Sequence, residues 1–86
     1  MRDIIASAYF DECVAELGGY RAIDLAMEPL IEGLARNPYG FERFEHDMIS
    51  FRYARTKRIG SVLPLYFVFR IDDEKNVVLE FVAEDI

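Results

Sequence analysis

Leu65-Tyr66-Phe67-Val68-Phe69-Arg70-Ile71, the polar run Asp72-Asp73-Glu74-Lys75-Asn76, and then Val77-Val78-Leu79-Glu80-Phe81-Val82 form the stretch that decides the fold. Leu65, Phe67, Phe69 and Ile71 alternate with Tyr66, Val68 and Arg70, the period of two that sends successive side chains to opposite faces of a strand. So short a polar connection joins antiparallel neighbours and cannot carry a parallel crossover. Upstream, Ile49, Phe51 and Tyr53 alternate with Ser50, Arg52 and Ala54, which adds a third strand before a turn around Lys57–Ser61. Matching the apolar faces at even register offsets predicts Arg52, Tyr66 and Arg70 on the outward face, with Tyr53 on the core face.

The chain ahead of this meander reads as helical. Ser7 is an N-cap residue for a helix over about 8–17. Phe10, Cys13, Val14 and Leu17 follow the spacing of a buried stripe, and Gly18-Gly19 supplies the stop. A second helix over about 20–36 carries Ile23, Ala26, Met27, Leu30 and Leu34 in phase, and Asn37-Pro38 ends it. Pro29 removes a hydrogen bond inside that helix. The stripe keeps its phase across it, which favours one kinked helix over two. Residues 3–7 form either an opening strand or the start of the first helix, so the sheet has four strands or three. The fold class expected is α+β, a helical hairpin packed on a three- to four-stranded antiparallel sheet, as one domain over residues 1–86.

With 86 residues, 52% of them hydrophobic, the chain has apolar surface for one core and too little length for two. No apolar run reaches the roughly 20 residues a membrane helix needs. Cys13 is the single cysteine, so no internal disulfide calls for an oxidising compartment, and a cytoplasmic protein is the simplest reading. The net charge of −6 argues against a general nucleic-acid binder. The charge is segregated, however. Residues 1–47 hold ten acids and four bases, a balance of −6. Residues 48–70 hold Arg52, Arg55, Lys57, Arg58 and Arg70 and no acid, a balance of +5. Residues 71–86 hold six acids and Lys75, a balance of −5. Such a strip either neutralises the protein's own acidic helices or forms a functional surface.

Three segments carry a resemblance to a known family: Leu34-Ala35-Arg36-Asn37-Pro38-Tyr39-Gly40, Phe51-Arg52-Tyr53-Ala54-Arg55-Thr56 and Leu65-Tyr66-Phe67-Val68-Phe69-Arg70-Ile71-Asp72. In this order, after a short opening strand and a helical hairpin, they resemble the RelE/ParE superfamily of bacterial toxins across nearly the whole chain. The resemblance implies a toxin, or a toxin-derived component, of a type II toxin–antitoxin module. RelE-like members cut messenger RNA on the ribosome, and ParE-like members inhibit DNA gyrase. A cognate antitoxin would be the usual partner, its acidic or amphipathic segment masking the basic strip. Arg52, Arg55, Lys57, Arg58, Tyr66 and Arg70 are the residues placed at the partner or nucleic-acid contact. RNA cleavage by the 2′-hydroxyl would need a base, an acid and cations on the phosphoryl oxygens, without a metal or other cofactor. The family's nucleases place Tyr, His, Lys or Arg residues near the C-terminus. This chain instead runs Glu80-Phe81-Val82-Ala83-Glu84-Asp85-Ile86, which leaves catalytic residues unassigned and enzymatic activity open. A non-catalytic interaction module that keeps the toxin fold is the rival reading.

Other constellations are weaker. His46, between Glu45 and Asp47, is a conceivable general acid, but more simply a loop histidine. One histidine and one cysteine do not make a metal site. Cys13 lies on the apolar stripe and reads as a core residue. Asp72-Asp73-Glu74 lacks the ligand spacing of a calcium loop and reads as a hairpin turn. Gly18-Gly19 lacks the partners of a phosphate-binding loop.

Overall fold

The computed structural model of the chain describes residues 3–43, 51–58, 60 and 63–85. The elements run β1 (Ile4–Ala6), α1 (Ala8–Glu16), α2 (Tyr20–Arg36), a 3-10 turn (Pro38–Gly40), β2 (Glu42–Arg43), β3 (Phe51–Arg55), β4 (Leu65–Ile71) and β5 (Val77–Glu84). The Ser7 hydroxyl accepts the Phe10 amide at 3.0 Å and caps α1 as expected. Gly18 and Gly19, at φ +102° and +95°, close the helix, and the Gly19 amide reaches back to the Val14 carbonyl at 2.9 Å. Side chains other than glycine rarely adopt this conformation, so the pair acts as the stop. α2 continues through Pro29 as one helix. The carbonyl that Pro29 leaves without a donor is that of Leu25, whose side chain is exposed, so water can take its place.

Among the described residues the sheet has five strands in the order β1-β5-β4-β3-β2. This corrects the expected three or four antiparallel strands in two respects. Residues 4–6 do form a strand, but it pairs with β5 in parallel, Ile4 opposite Val77 and Ala6 opposite Leu79. β2 was not foreseen, because two charged residues carry no alternation to read. The meander itself is as expected, with β3, β4 and β5 antiparallel. Asp72 organises the β4–β5 turn by accepting the Glu74 and Asn76 amides, each at 2.9 Å. That is the hairpin role read from the sequence.

Both helices cover one side of the sheet. Phe10, Val14, Ile23, Ala26, Leu30 and Leu34 pack on Leu65, Phe67, Phe69, Val77, Leu79 and Val82. A bulge opposite Val68 and Phe69 shifts the phase of β5, so Val77 and Leu79 face the helices before it and Val82 after it. Cys13 is buried in this core, at 7% exposure, and is a packing residue. His46 and Ile49 lie outside the described residues.

Candidate partner-binding face

The facing of β3 is the opposite of that expected. Arg52 lies opposite Phe69, and Ala54 opposite Phe67. Directly opposed residues share a face of the sheet, so Arg52 and Ala54 belong to the helix side. Ala54 is accordingly buried within the core, while Tyr53 is only partly buried. Arg52 therefore does not join Tyr66 and Arg70, and Tyr53 does not belong to the core. The physical reason is that both faces of the sheet bear apolar side chains. Val68 and Val78, on the side away from the helices, are 9% and 7% exposed. Apolar matching then cannot choose between registers.

At the margin of the core, the Arg52 guanidinium stretches toward water and takes up local carbonyls. It donates to the Phe41 oxygen at 2.8 Å and to the Tyr39 oxygen at 3.2 Å. Its Cζ also lies 5.5 Å from the Tyr39 ring centroid. Nη1 serves two backbone acceptors while the guanidinium lies against an aromatic face. Arg52 thus fastens the 3-10 turn and Phe41 to the sheet. Phe41 in turn stands edge-on to Phe69, with ring centroids 5.5 Å apart.

The outer face gathers β3 and β4 residues of different character. Tyr53 and Tyr66 lie diagonally across the two strands, their ring centroids 5.8 Å apart. The Arg55 Cζ sits 5.4 Å from the Tyr66 ring and 5.7 Å from the Tyr53 ring, a cation over two aromatic faces. The Tyr53 hydroxyl donates to the Glu42 carboxylate across the β2–β3 pair. This hydrogen bond, with burial and the carboxylate's charge behind it, raises the Tyr53 pKa. Arg55 also pairs with Asp85 at 3.6 Å, and Arg70 with Glu80 at 3.2 Å. Both acids come from or adjoin β5, not from the helices. Two bases of the +5 strip, Arg55 and Arg70, are therefore met by carboxylates of or beside β5, which sequence distance concealed and the β4–β5 hairpin brings together. Lys57 and Arg58 are exposed beyond the end of β3, and Arg58 Nε reaches the Gly60 carbonyl at 3.4 Å.

Of the six expected contact residues, Arg55, Tyr66 and Arg70 share the outer face, and Lys57 and Arg58 lie at its end. Arg52 is on the other side. Tyr53 and Glu42 were missed, although an aromatic beside two arginines in Arg52-Tyr53-Ala54-Arg55 was the available signal. Among the described residues, no group of three His, Cys, Asp or Glu side chains could hold a metal ion, and no helix is long and apolar enough to cross a membrane.

No protein-family model matches the chain. No curated protein sequence matches it. Among solved structures, it is similar to a chain of the toxin–antitoxin complex RelBE2 from Mycobacterium tuberculosis. The two are 20% identical, superimpose with a TM-score of 0.71, and are covered over 98% of each chain. The likeness is one of fold, and it bears out the α+β architecture expected from the sequence.

Proposed function

We propose that this chain is the toxin-type component of a toxin–antitoxin pair, and that it works as a binding protein through the outer face of its sheet. The observation that carries the reading is the end-to-end likeness of fold to a chain of such a complex. The chemistry of the face supports binding over RNA cleavage. Tyr53, with its proton held by Glu42, is pushed away from acting as a base near neutral pH. Glu80 and Asp85 already pair with Arg70 and Arg55, the guanidinium groups that a phosphate would need. A polyanion would meet Glu42, Glu80 and Asp85 together. A protein segment with a few spaced carboxylates between apolar residues suits the face better. Exposed ion pairs are worth only about 0–1 kcal/mol, so exchanging one carboxylate for another costs little. The cognate antitoxin is the partner this implies.

The test is expression in a bacterium, alone and together with any small protein found encoded beside it. Growth arrest without that neighbour, relief with it, and intact transcripts are the expected results; arrest with DNA damage would point to gyrase as the target. Cut transcripts would replace binding with cleavage. Unimpaired growth would leave an interaction module that has kept the fold and lost the toxicity.

A further inference from the structure

A cavity of about 330 Å³ lies at the end of the sheet away from Lys57 and Arg58, where the 3-10 turn meets the β4–β5 turn. Arg43, Arg52 and Lys75 line it together with Asp72 and Asp73. Arg43 stands directly opposite Arg52 across the β2–β3 pair. Like charges so placed repel, and among the described residues no carboxylate lies within ion-pair distance of Arg43, Arg52 or Lys75. Arg52 uses Nη1 on the Phe41 and Tyr39 carbonyls, which fixes its guanidinium at the cavity. Lys75 comes from the turn that Asp72 ties together, and its backbone sits at φ +70°. Among the described residues it is the one non-glycine at positive φ, a conformation that glycine or asparagine adopts at less cost. The folded chain thus bears a cost at two neighbouring places, and both put a cation at the same cavity.

We infer that this cavity takes a small phosphate monoester that also carries hydroxyl groups, a molecule of the sugar-phosphate kind. A dianion among the three cations removes the repulsion that the free protein bears, and an arginine fork fits phosphate oxygens. Asp73 is exposed and takes no part in the hydrogen bonds of the turn, so its carboxylate is an acceptor for a ligand hydroxyl. The two carboxylates also make the site poor for a chain of phosphates, whose neighbouring charges they repel. A volume at the small end of ligand cavities suits a single small molecule. Arg43 and Arg52 share the helix side of the sheet, and the proposed partner-binding face is the other side. The inference therefore stands apart from the proposed function.

The probe is ribose 5-phosphate, titrated into the protein and followed by phosphorus NMR and by shifts of the protein amides. It should bind at millimolar concentrations, more tightly as pH rises through about 6 and the dianion forms. Ribose without phosphate should not bind. Arg43→Gln and Lys75→Asn should each weaken binding by at least about fivefold, and neither should lower the midpoint of urea unfolding, because each relieves a cost in the free protein. Arg52 is left intact, since its loss disturbs the fold. Arg21→Gln removes an equal charge in the first turn of α2, the end away from the cavity, and should bind as the parent chain does. Adenosine 5′-monophosphate identifies the source: tighter binding than the ribose ester assigns the site to nucleotides, equal or weaker binding to sugar phosphates. No binding of the ribose ester, unchanged affinity in Arg43→Gln or Lys75→Asn, or a lowered midpoint in both would overturn the inference. Equal binding of inorganic phosphate would remove the hydroxyl contact and overturn it too, as would tighter binding of a short single-stranded RNA.

Discussion

Replacing Arg52 with alanine distinguishes a fastening residue from a contact residue. The substitution removes a partly shielded charged hydrogen bond to the Phe41 carbonyl, a more exposed one to the Tyr39 carbonyl, and the cation over the Tyr39 ring. Hydrogen bonds to charged groups contribute about 1.5–3 kcal/mol when well shielded, and an exposed cation–ring contact about 0.5–1 kcal/mol. Discounted for solvent at this margin, the loss should be about 2 kcal/mol. That is a sizeable part of the roughly 5–15 kcal/mol available to a small domain. At about 4–8 °C per kcal/mol, the melting temperature should fall by about 8–16 °C. Urea unfolding followed by far-ultraviolet circular dichroism should show a lower midpoint at an unchanged slope. Arg52→Lys should recover only part, because the ammonium lacks the planar guanidinium that lies over the Tyr39 ring while its Nη1 serves both carbonyls. Partner affinity, measured well below the melting temperature, should be preserved. A loss below about 0.5 kcal/mol, or lost affinity at unchanged stability, would return Arg52 to the outward face and refute the reasoning.

Arg55→Gln and Arg70→Gln should behave in the reverse sense. Each breaks an exposed ion pair and should change stability by less than about 1 kcal/mol, while partner affinity in a titration drops and loses salt dependence. Phe67→Ala empties a fully buried site beside Phe10 and should cost about 3–5 kcal/mol in chemical unfolding. Tyr20 donates to Asp11 at 2.5 Å, and burial together with that bond pushes its pKa up to about 12. A raised folded-state pKa means that the folded protein keeps the proton longer than the unfolded chain, whose tyrosine titrates near 10. Its stabilising contribution is therefore complete below about pH 10 and is lost as pH rises toward 12. Tyr20→Phe should flatten the fall of stability across that window, and an unchanged slope would remove Tyr20 as its source.

The helices and the meander were legible because each shows its own period. Ser7, Gly18-Gly19 and Asn37-Pro38 marked the helix ends through local chemistry that needs no tertiary context. β1 was ambiguous because three residues cannot show a period, and β2 was invisible for the same reason. The facing of β3 failed for a different cause. Phe51 and Tyr53 look like a core stripe, yet the core takes Ala54, a small residue where the sheet meets α2. The outer face hides Val68 and Val78 beneath neighbouring side chains instead. The candidate site was legible as composition, five bases in a row of residues without acids. The partners of those bases were not, since Glu80 and Asp85 meet Arg70 and Arg55 only once β5 has folded back on β4.

β5 comes last among the described elements, yet it sits inside the sheet between β1 and β4. During synthesis, the opening strand and both helices emerge well before the strand that joins β1 to the rest. Until then their apolar stripe faces water or whatever protein is at hand. Contacts that bridge almost the whole length of the chain also make folding slow. A partner already present while the chain is being made would meet a different molecule from one added afterwards. Order of synthesis thus becomes a variable in how this protein is first captured.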